Sequence, residues 1–199
     1  MKCIGWLGPV ALFACSDGGS DDKHGGDSDT DTDADTDADT DTDTTVPLPT
    51  VESPLRINEI VPSNLSGLQD SSLAYPDWVE IWNDSANEVS LADCYLTDEH
   101  DWSQKWAFPP SAVVPANGFV IVMCDGDVLD SSTGEFHTSF NLKVDGEWIA
   151  LTVDMVEGGV GQIHGIEYPL MGTDVSWARM PDGGEFESDA TPTPAAANE

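Results

Sequence analysis

The side chains able to do chemistry are four histidines, four cysteines and 38 Asp and Glu, in 199 residues that hold only six Lys and Arg. His24, His100, His137 and His164 are scattered along the chain. None forms the His-x-His or i,i+4 pair that would gather nitrogen ligands on one zinc ion. The sequence holds no GxSxG elbow, HExxH, P-loop or GxGxxG, and no spacing favours a Ser/His/Asp triad. The histidines are therefore expected as solvent-facing or capping residues. No catalytic, cofactor-binding or metal residue is assigned, and the chain reads as a non-enzyme. A hydrolase working through two carboxyls would need them to converge at roughly 5–10 Å, and no such pair is visible.

Among the carboxylates, Glu59 would share a strand face with Leu55 and Ile57 in Leu55-Arg56-Ile57-Asn58-Glu59-Ile60, and so be partly buried. A buried carboxylate needs a partner. Only Arg56, Lys105, Lys143 and Arg179 are available beyond the N-terminal region, and the expected structural ion pair is Arg179 with Glu59, or else with Glu80. The loops Asp98-Glu99-His100-Asp101 and Asp125-Gly126-Asp127 offer the oxygen ligands that calcium takes, so Asp98, Asp101, Asp125 and Asp127 are candidate ligands. Asp77 and Glu80 are an odd number of positions apart and would face opposite sides of a strand. The bland reading of the acidic loops is a charged, solubilising surface.

The chain begins MKCIGWLGPVALFAC, one Lys followed by ten mostly apolar residues from Ile4 to Phe13. That is too short for a membrane span, which needs about 20 residues, and fits an export signal. Leu12-Phe13-Ala14-Cys15 resembles a bacterial lipobox, which implies a signal peptide over 1–14, cleavage before Cys15 and a lipid on its thiol. Ser16 resembles an outer-membrane sorting residue. Cys3 would leave with the signal. Cys94 and Cys124 remain, 30 residues apart and unlike a CxxC motif. In an oxidising compartment they are expected to form a disulfide, with two buried free thiols as the alternative.

Residues 15–54 read as an extended acidic linker, with Asp at every second position from Asp27 to Asp43. This alternation matches only the first half of an EF-hand loop, without its Gly and closing Glu. The domain is expected over 55–199, where short apolar runs (WVEIWN from Trp78, FVIVM from Phe119, WIALTV from Trp148) alternate with turn signals such as Asp145-Gly146 and Pro181-Asp182-Gly183-Gly184. No amphipathic helix is evident. The pattern predicts an all-β antiparallel sandwich. A net charge of −32 argues against nucleic acid as a partner and against adsorption to an anionic membrane.

The order of these segments resembles the lamin-tail domain. Leu55–Ile60 looks like its opening strand and Asp77-Trp78-Val79-Glu80-Ile81-Trp82-Asn83 like its D-W-[IV]-E-[IL]-x-N segment. Tyr95-Leu96-Thr97-Asp98, Trp106-Ala107-Phe108-Pro109 and Ser176-Trp177-Ala178-Arg179-Met180-Pro181-Asp182-Gly183 follow in the family's order, and Thr193-Pro194 with Asn198 resembles its closing T-P-G-x-x-N. Ala178 and Ala195 stand where Gly is usual, and His164 near where Asp is often found. The resemblance implies an immunoglobulin-like sandwich that binds or scaffolds, with Cys94 and Cys124 bridged if they lie on neighbouring strands. The expected protein is thus an exported, lipid-anchored module of an outer membrane or cell surface. It would be monomeric, carried on an acidic stalk, and would bind a protein or envelope polymer through exposed aromatics such as Trp78, Trp82 or Trp102. A calcium-dependent adhesin is the alternative.

Overall fold

The computed structural model describes residues 46–129 and 134–199. The export signal, Cys3, Cys15, His24 and the alternating-Asp segment lie outside these residues.

Twelve strands follow in chain order: β1 Leu55–Val61, β2 Asp77–Asn83, β3 Val89–Ser90, β4 Cys94–Thr97, β5 Trp106–Ala107, β6 Val113–Val114, β7 Phe119–Cys124, β8 Phe136–His137, β9 Glu147–Asp154, β10 Val160–Tyr168, β11 Ser176–Met180 and β12 Glu185–Asp189. A six-stranded sheet has the order β12-β11-β1-β2-β7-β8, a four-stranded sheet the order β10-β9-β4-β5, and β3 pairs with β6. No described residue is helical. All strand pairs are antiparallel except β7 with β8. The all-β sandwich expected from the turn spacing is the observed fold.

The two larger sheets face each other across one apolar core. Leu55, Ile57, Ile60, Val79, Ile81 and Val122 project from the six-stranded sheet, and Leu96, Ile149, Leu151 and Ile163 from the other. Trp106, Phe108 and Phe136 close one side edge-to-face, with centroids 4.6–6.5 Å apart. The segment before β1 is also held. Val51 N–H donates to the Gln162 carbonyl (2.9 Å) and Gln162 N–H to the Pro49 carbonyl (2.8 Å). At Gly161 a Cβ would lie 2.3 Å from Val51, so only glycine lets this segment approach β10.

One expectation about β1 is corrected. Glu59 does not share a face with Leu55 and Ile57. The pairing of β1 with β2 runs Leu55↔Asn83, Ile57↔Ile81, then Glu59↔Glu80 and Ile60↔Val79, with a bulge between Ile57 and Glu59. The extra residue, Asn58, reverses the alternation. Ile60 turns into the core, while Glu59 turns to the outer face beside Glu80.

The expected disulfide is also corrected. Cys94 and Cys124 are both free and buried. They belong to different sheets: Cys94 pairs with Val153 of β9, and Cys124 with Asp77 of β2. Burial raises the Cys94 pKa to about 11, helped by Asp93, and pushes that of Cys124 well above the ordinary thiol value. Neutral thiols of this kind are poor nucleophiles. Alkylation of the folded protein followed by peptide mass spectrometry is expected to leave Cys94 and Cys124 unmodified until denaturant is added. Reductant should leave the melting temperature unchanged; a drop on reduction would restore the disulfide.

The C-terminal turn explains a departure from the resembled motif. Ala196 N–H donates to the Thr193 carbonyl (3.0 Å), and Ala195 has φ 59°. Pro at the second turn position and a left-handed residue at the third is the type II arrangement, which favours Gly. Ala195→Gly is expected to stabilise the domain by roughly 0.5–1 kcal/mol, since left-handed strain costs an L-residue about 1–2 kcal/mol and Gly loses more entropy on folding. A urea-unfolding midpoint that fails to rise would contradict the strain.

Candidate functional site

A group of buried and half-buried carboxyls lies on the outer face of the six-stranded sheet, beneath the C-terminal segment. Register places Glu59 directly across from Glu80, and both are fully buried. Such cross-strand neighbours have Cβ atoms about 5 Å apart. The backbone N–H of Thr193 reaches both Glu59 carboxylate oxygens (3.3 and 3.2 Å), and that of Ala195 reaches Glu80 Oε2 (2.7 Å). Asn58, displaced by the bulge, donates its amide to Glu80 Oε1 (3.0 Å) and to Asp182 Oδ1 (2.9 Å). Asp182 also accepts from Asn198 N–H (3.0 Å), and the Asn198 amide donates to the Arg179 carbonyl (2.9 Å). The closing Thr-Pro-x-x-x-Asn sequence is thus read by three carboxylates.

Burial is the first cause of the shifts here. It raises the pKa of Glu80 to about 8, against hydrogen bonds from Asn58 and Ala195, and the neighbouring Glu59 charge adds to the rise. It also raises that of Glu59, with Asp189 and Asp182 adding repulsion. The two carboxyls titrate as a coupled pair, and at neutral pH the pair holds a proton. A proton-sharing pair could serve as acid and base, but the C-terminal backbone covers this one. Its accessible chemistry is that of a clamp.

The expected Arg179–Glu59 ion pair is not formed. The register Glu59↔Ala178 and Ile60↔Trp177 puts Arg179 on the inner face, opposite to Glu59. Arg179 donates to the carbonyls of Ile57 and Gly184, lies over the Phe186 ring (4.5 Å to its centroid) and contacts His164 Nε2 at 2.7 Å. Burial lowers the His164 pKa to about 4, with Arg179 and Arg56 reinforcing the effect. A neutral imidazole accepts the guanidinium here.

Of the other histidines, His137 departs from the solvent-facing expectation, while His100 is exposed as expected. His137 is fully buried, with Nδ1 2.8 Å from Asp125. His100 stacks on Trp148 at 3.9 Å between centroids. The candidate calcium loops are internally bonded. Lys105 lies 2.6 Å from Asp98 and 2.5 Å from Glu99, and Asp127 accepts the Leu129 N–H. Among the described residues no three His, Cys, Asp or Glu side chains gather as a metal site. Of the aromatics, Trp78 is buried and Trp102 is 54% exposed. Trp82 packs so closely on the β11–β12 turn that a Cβ at Gly183 would lie 2.9 Å from its ring. A cleft of about 340 Å³ opens beside Trp78, with Val61, Leu68, Pro192 and Pro194 among its walls.

With this architecture in view, comparison with family models defines the class. The chain belongs to the lamin tail domain family, whose model matches residues 49–168. These are non-catalytic, immunoglobulin-like domains. The match begins where Pro49 and Val51 join β10, and it ends before β11, β12 and the C-terminal segment that completes the carboxylate clamp. No curated protein and no solved structure gives a significant match.

The Glu59–Glu80 pair is not among the partners expected from the sequence for either residue. Its signal lay in pairing the two motifs LRINEI and DWVEIWN as antiparallel neighbours with one residue of slippage. Between 4.5 and about 8 the folded Glu80 retains a proton that the unfolded chain has released, so stability falls as pH rises. His164 acts oppositely between about 4 and 6.5. The net decline is expected between pH 6.5 and 8, read as melting temperature. Glu80→Gln should flatten it, and an unchanged slope in that variant would place the proton elsewhere.

Proposed function

We propose that this lamin tail domain is a non-enzymatic binding or scaffold module of a bacterial envelope, exported by residues 1–14, anchored through lipid on Cys15 and carried on the acidic segment 15–54. The observation that carries the non-catalytic reading is the use made of the buried carboxylates. Glu59, Glu80 and Asp182 are engaged by the C-terminal backbone and Asn58, so this buried carboxyl pair closes the domain instead of facing a substrate. The lipid is proposed from the lipobox-like Leu12-Phe13-Ala14-Cys15 and the polar residues that follow it.

The partner is a protein or an envelope polymer. Nucleic acid is disfavoured by charge, since residues 46–199 hold 26 acidic and 4 basic side chains, a net −22. The domain itself is proposed to be a monomer, in contact with the membrane only through its anchor.

The test is metabolic labelling of the full chain with a clickable fatty acid in a lipoprotein-processing bacterium. Label is expected on wild type and absent from Cys15→Ser, which should also leave the membrane fraction. Inhibiting lipoprotein signal peptidase should accumulate the uncleaved form. Export without label would reduce the anchor to a plain secretory signal.

A further inference from the structure

The loops at one end of the sandwich carry an apolar surface that packing does not require. Val61 at the end of β1 pairs with Trp78 at the start of β2, and Asp77 with Cys124 at the end of β7. Ile60 pairs with Trp177 near the start of β11, and Glu147 at the start of β9 with Tyr168 at the end of β10. The connections 62–76, 143–146 and 169–175, with residues 125–129 after β7 and 134–135 before β8, therefore emerge together. Hydrogen bonds join them. Asp174 accepts from Leu65 N–H (2.7 Å) and Ser66 N–H (3.0 Å), Glu135 accepts from Ser71 N–H (3.1 Å), and Met171 N–H donates to the Val144 carbonyl (3.0 Å).

All four exposed leucines of the described residues are on these connections: Leu65, Leu73, Leu129 and Leu170, each between 69 and 79% exposed. Tyr75 and Val144 add to them at 41 and 43%. Single exposed leucines are ordinary, whereas their gathering at one end of a domain is the pattern of an interaction site.

Leu73 supplies an independent reason. Its φ is 68°, in the left-handed region where a bulky residue is an outlier and Gly or Asn would be relaxed. The turn is rigidly held. Asp70 Oδ1 accepts from Ser72 N–H (2.9 Å), Ser72 Oγ (2.8 Å) and Ala74 N–H (2.8 Å), while Leu73 N–H donates to the Asp70 carbonyl (3.1 Å). The fold holds a strained leucine and points it into water. Strain kept without a packing return is a mark of function, and the fixed turn lowers the ordering cost of binding.

Charge selects the partner. These connections carry Asp70, Asp125, Asp127, Glu135, Asp145 and Asp174 among the described residues, against Lys143, which is already paired with Glu147 at 2.7 Å. An anionic lipid surface would be repelled, and a basic surface attracted. We propose that this end of the sandwich is a docking surface for a cationic segment of a partner protein that presents apolar side chains to Leu65, Leu73 and Leu170. The inference rests on the binding-module reading and specifies its face and its partner's chemistry.

The experiment uses the full chain and a fluorescent amphipathic Leu/Lys peptide as probe, with a Leu/Glu peptide of the same pattern as control. Saturable binding of the Leu/Lys peptide alone is expected, weakening as salt is raised. A Leu65→Ser/Leu73→Ser/Leu170→Ser variant keeps every charge, including those of the N-terminal segment, and should bind at least tenfold more weakly. Leu73→Gly alone should raise the melting temperature while weakening binding, which a folding defect cannot do. Undiminished binding by the triple variant would place the peptide on another face, overturning this surface and leaving the binding-module reading intact. Saturable binding of neither peptide would overturn the partner chemistry. Leucine-dependent binding to zwitterionic phosphatidylcholine vesicles instead would make the surface a membrane contact and overturn the protein partner.

Discussion

The bulge at Asn58 is the constraint on which the rest of this sandwich depends. A regular β1 would send Glu59 inward among Leu55 and Ile57, where a carboxylate has no compensation. One extra residue instead returns Ile60 to the core and moves Glu59 outward, next to Glu80. That creates a second problem, two carboxyls abreast on adjacent strands, and the fold meets it in two ways. A proton is retained, and backbone N–H groups of Thr193 and Ala195 are brought over the pair. The C-terminal segment is thus docked through hydrogen bonds to these carboxyls, with the left-handed turn at Ala195 between them.

The fold class was legible because its signals are local. Short apolar runs ended by Asp145-Gly146 or Pro181-Asp182-Gly183-Gly184 state strand and turn directly, and WVEIWN divides correctly into Val79 and Ile81 facing inward and Trp78 facing outward. What stayed hidden depends on register. The slippage at Asn58 leaves no mark in composition, and it alone decides that Glu59 meets Glu80 and not Arg179. The cysteines show the same limit. Their even number suggested a bridge, yet both are buried free thiols, and number alone does not bring two sulfurs within bonding reach. His137 and His164 looked like loop residues because neither sits in an apolar run, yet long-range pairing buries the first against Asp125 and sets the second against Arg179.

The division of labour within the domain follows from these contacts. Polar groups that could be reactive are drawn into closing the structure: Arg179 bridges the sheets to His164, and Asp182 joins the β11–β12 turn to Asn58 and Asn198. The exposed leucines of the described residues are gathered on the connections at one end. The outermost strand of the larger sheet, β12, carries Glu185, Glu187 and Asp189, and charge along an edge opposes pairing with another chain. The fold therefore charges this edge while leaving leucines exposed on the connections at one end.

The junction of Pro49 and Val51 with Gln162 has a mechanical meaning. Tension applied to the chain ahead of Val46 reaches this short parallel bridge before it reaches β1. Its two hydrogen bonds are supported by the close seat of Val51 on Gly161, so they must part before β1 can be peeled from its neighbours. A tethered domain held in this way would yield first at a small clasp on β10, which could reform when the pull is released, while the core between the sheets stays closed.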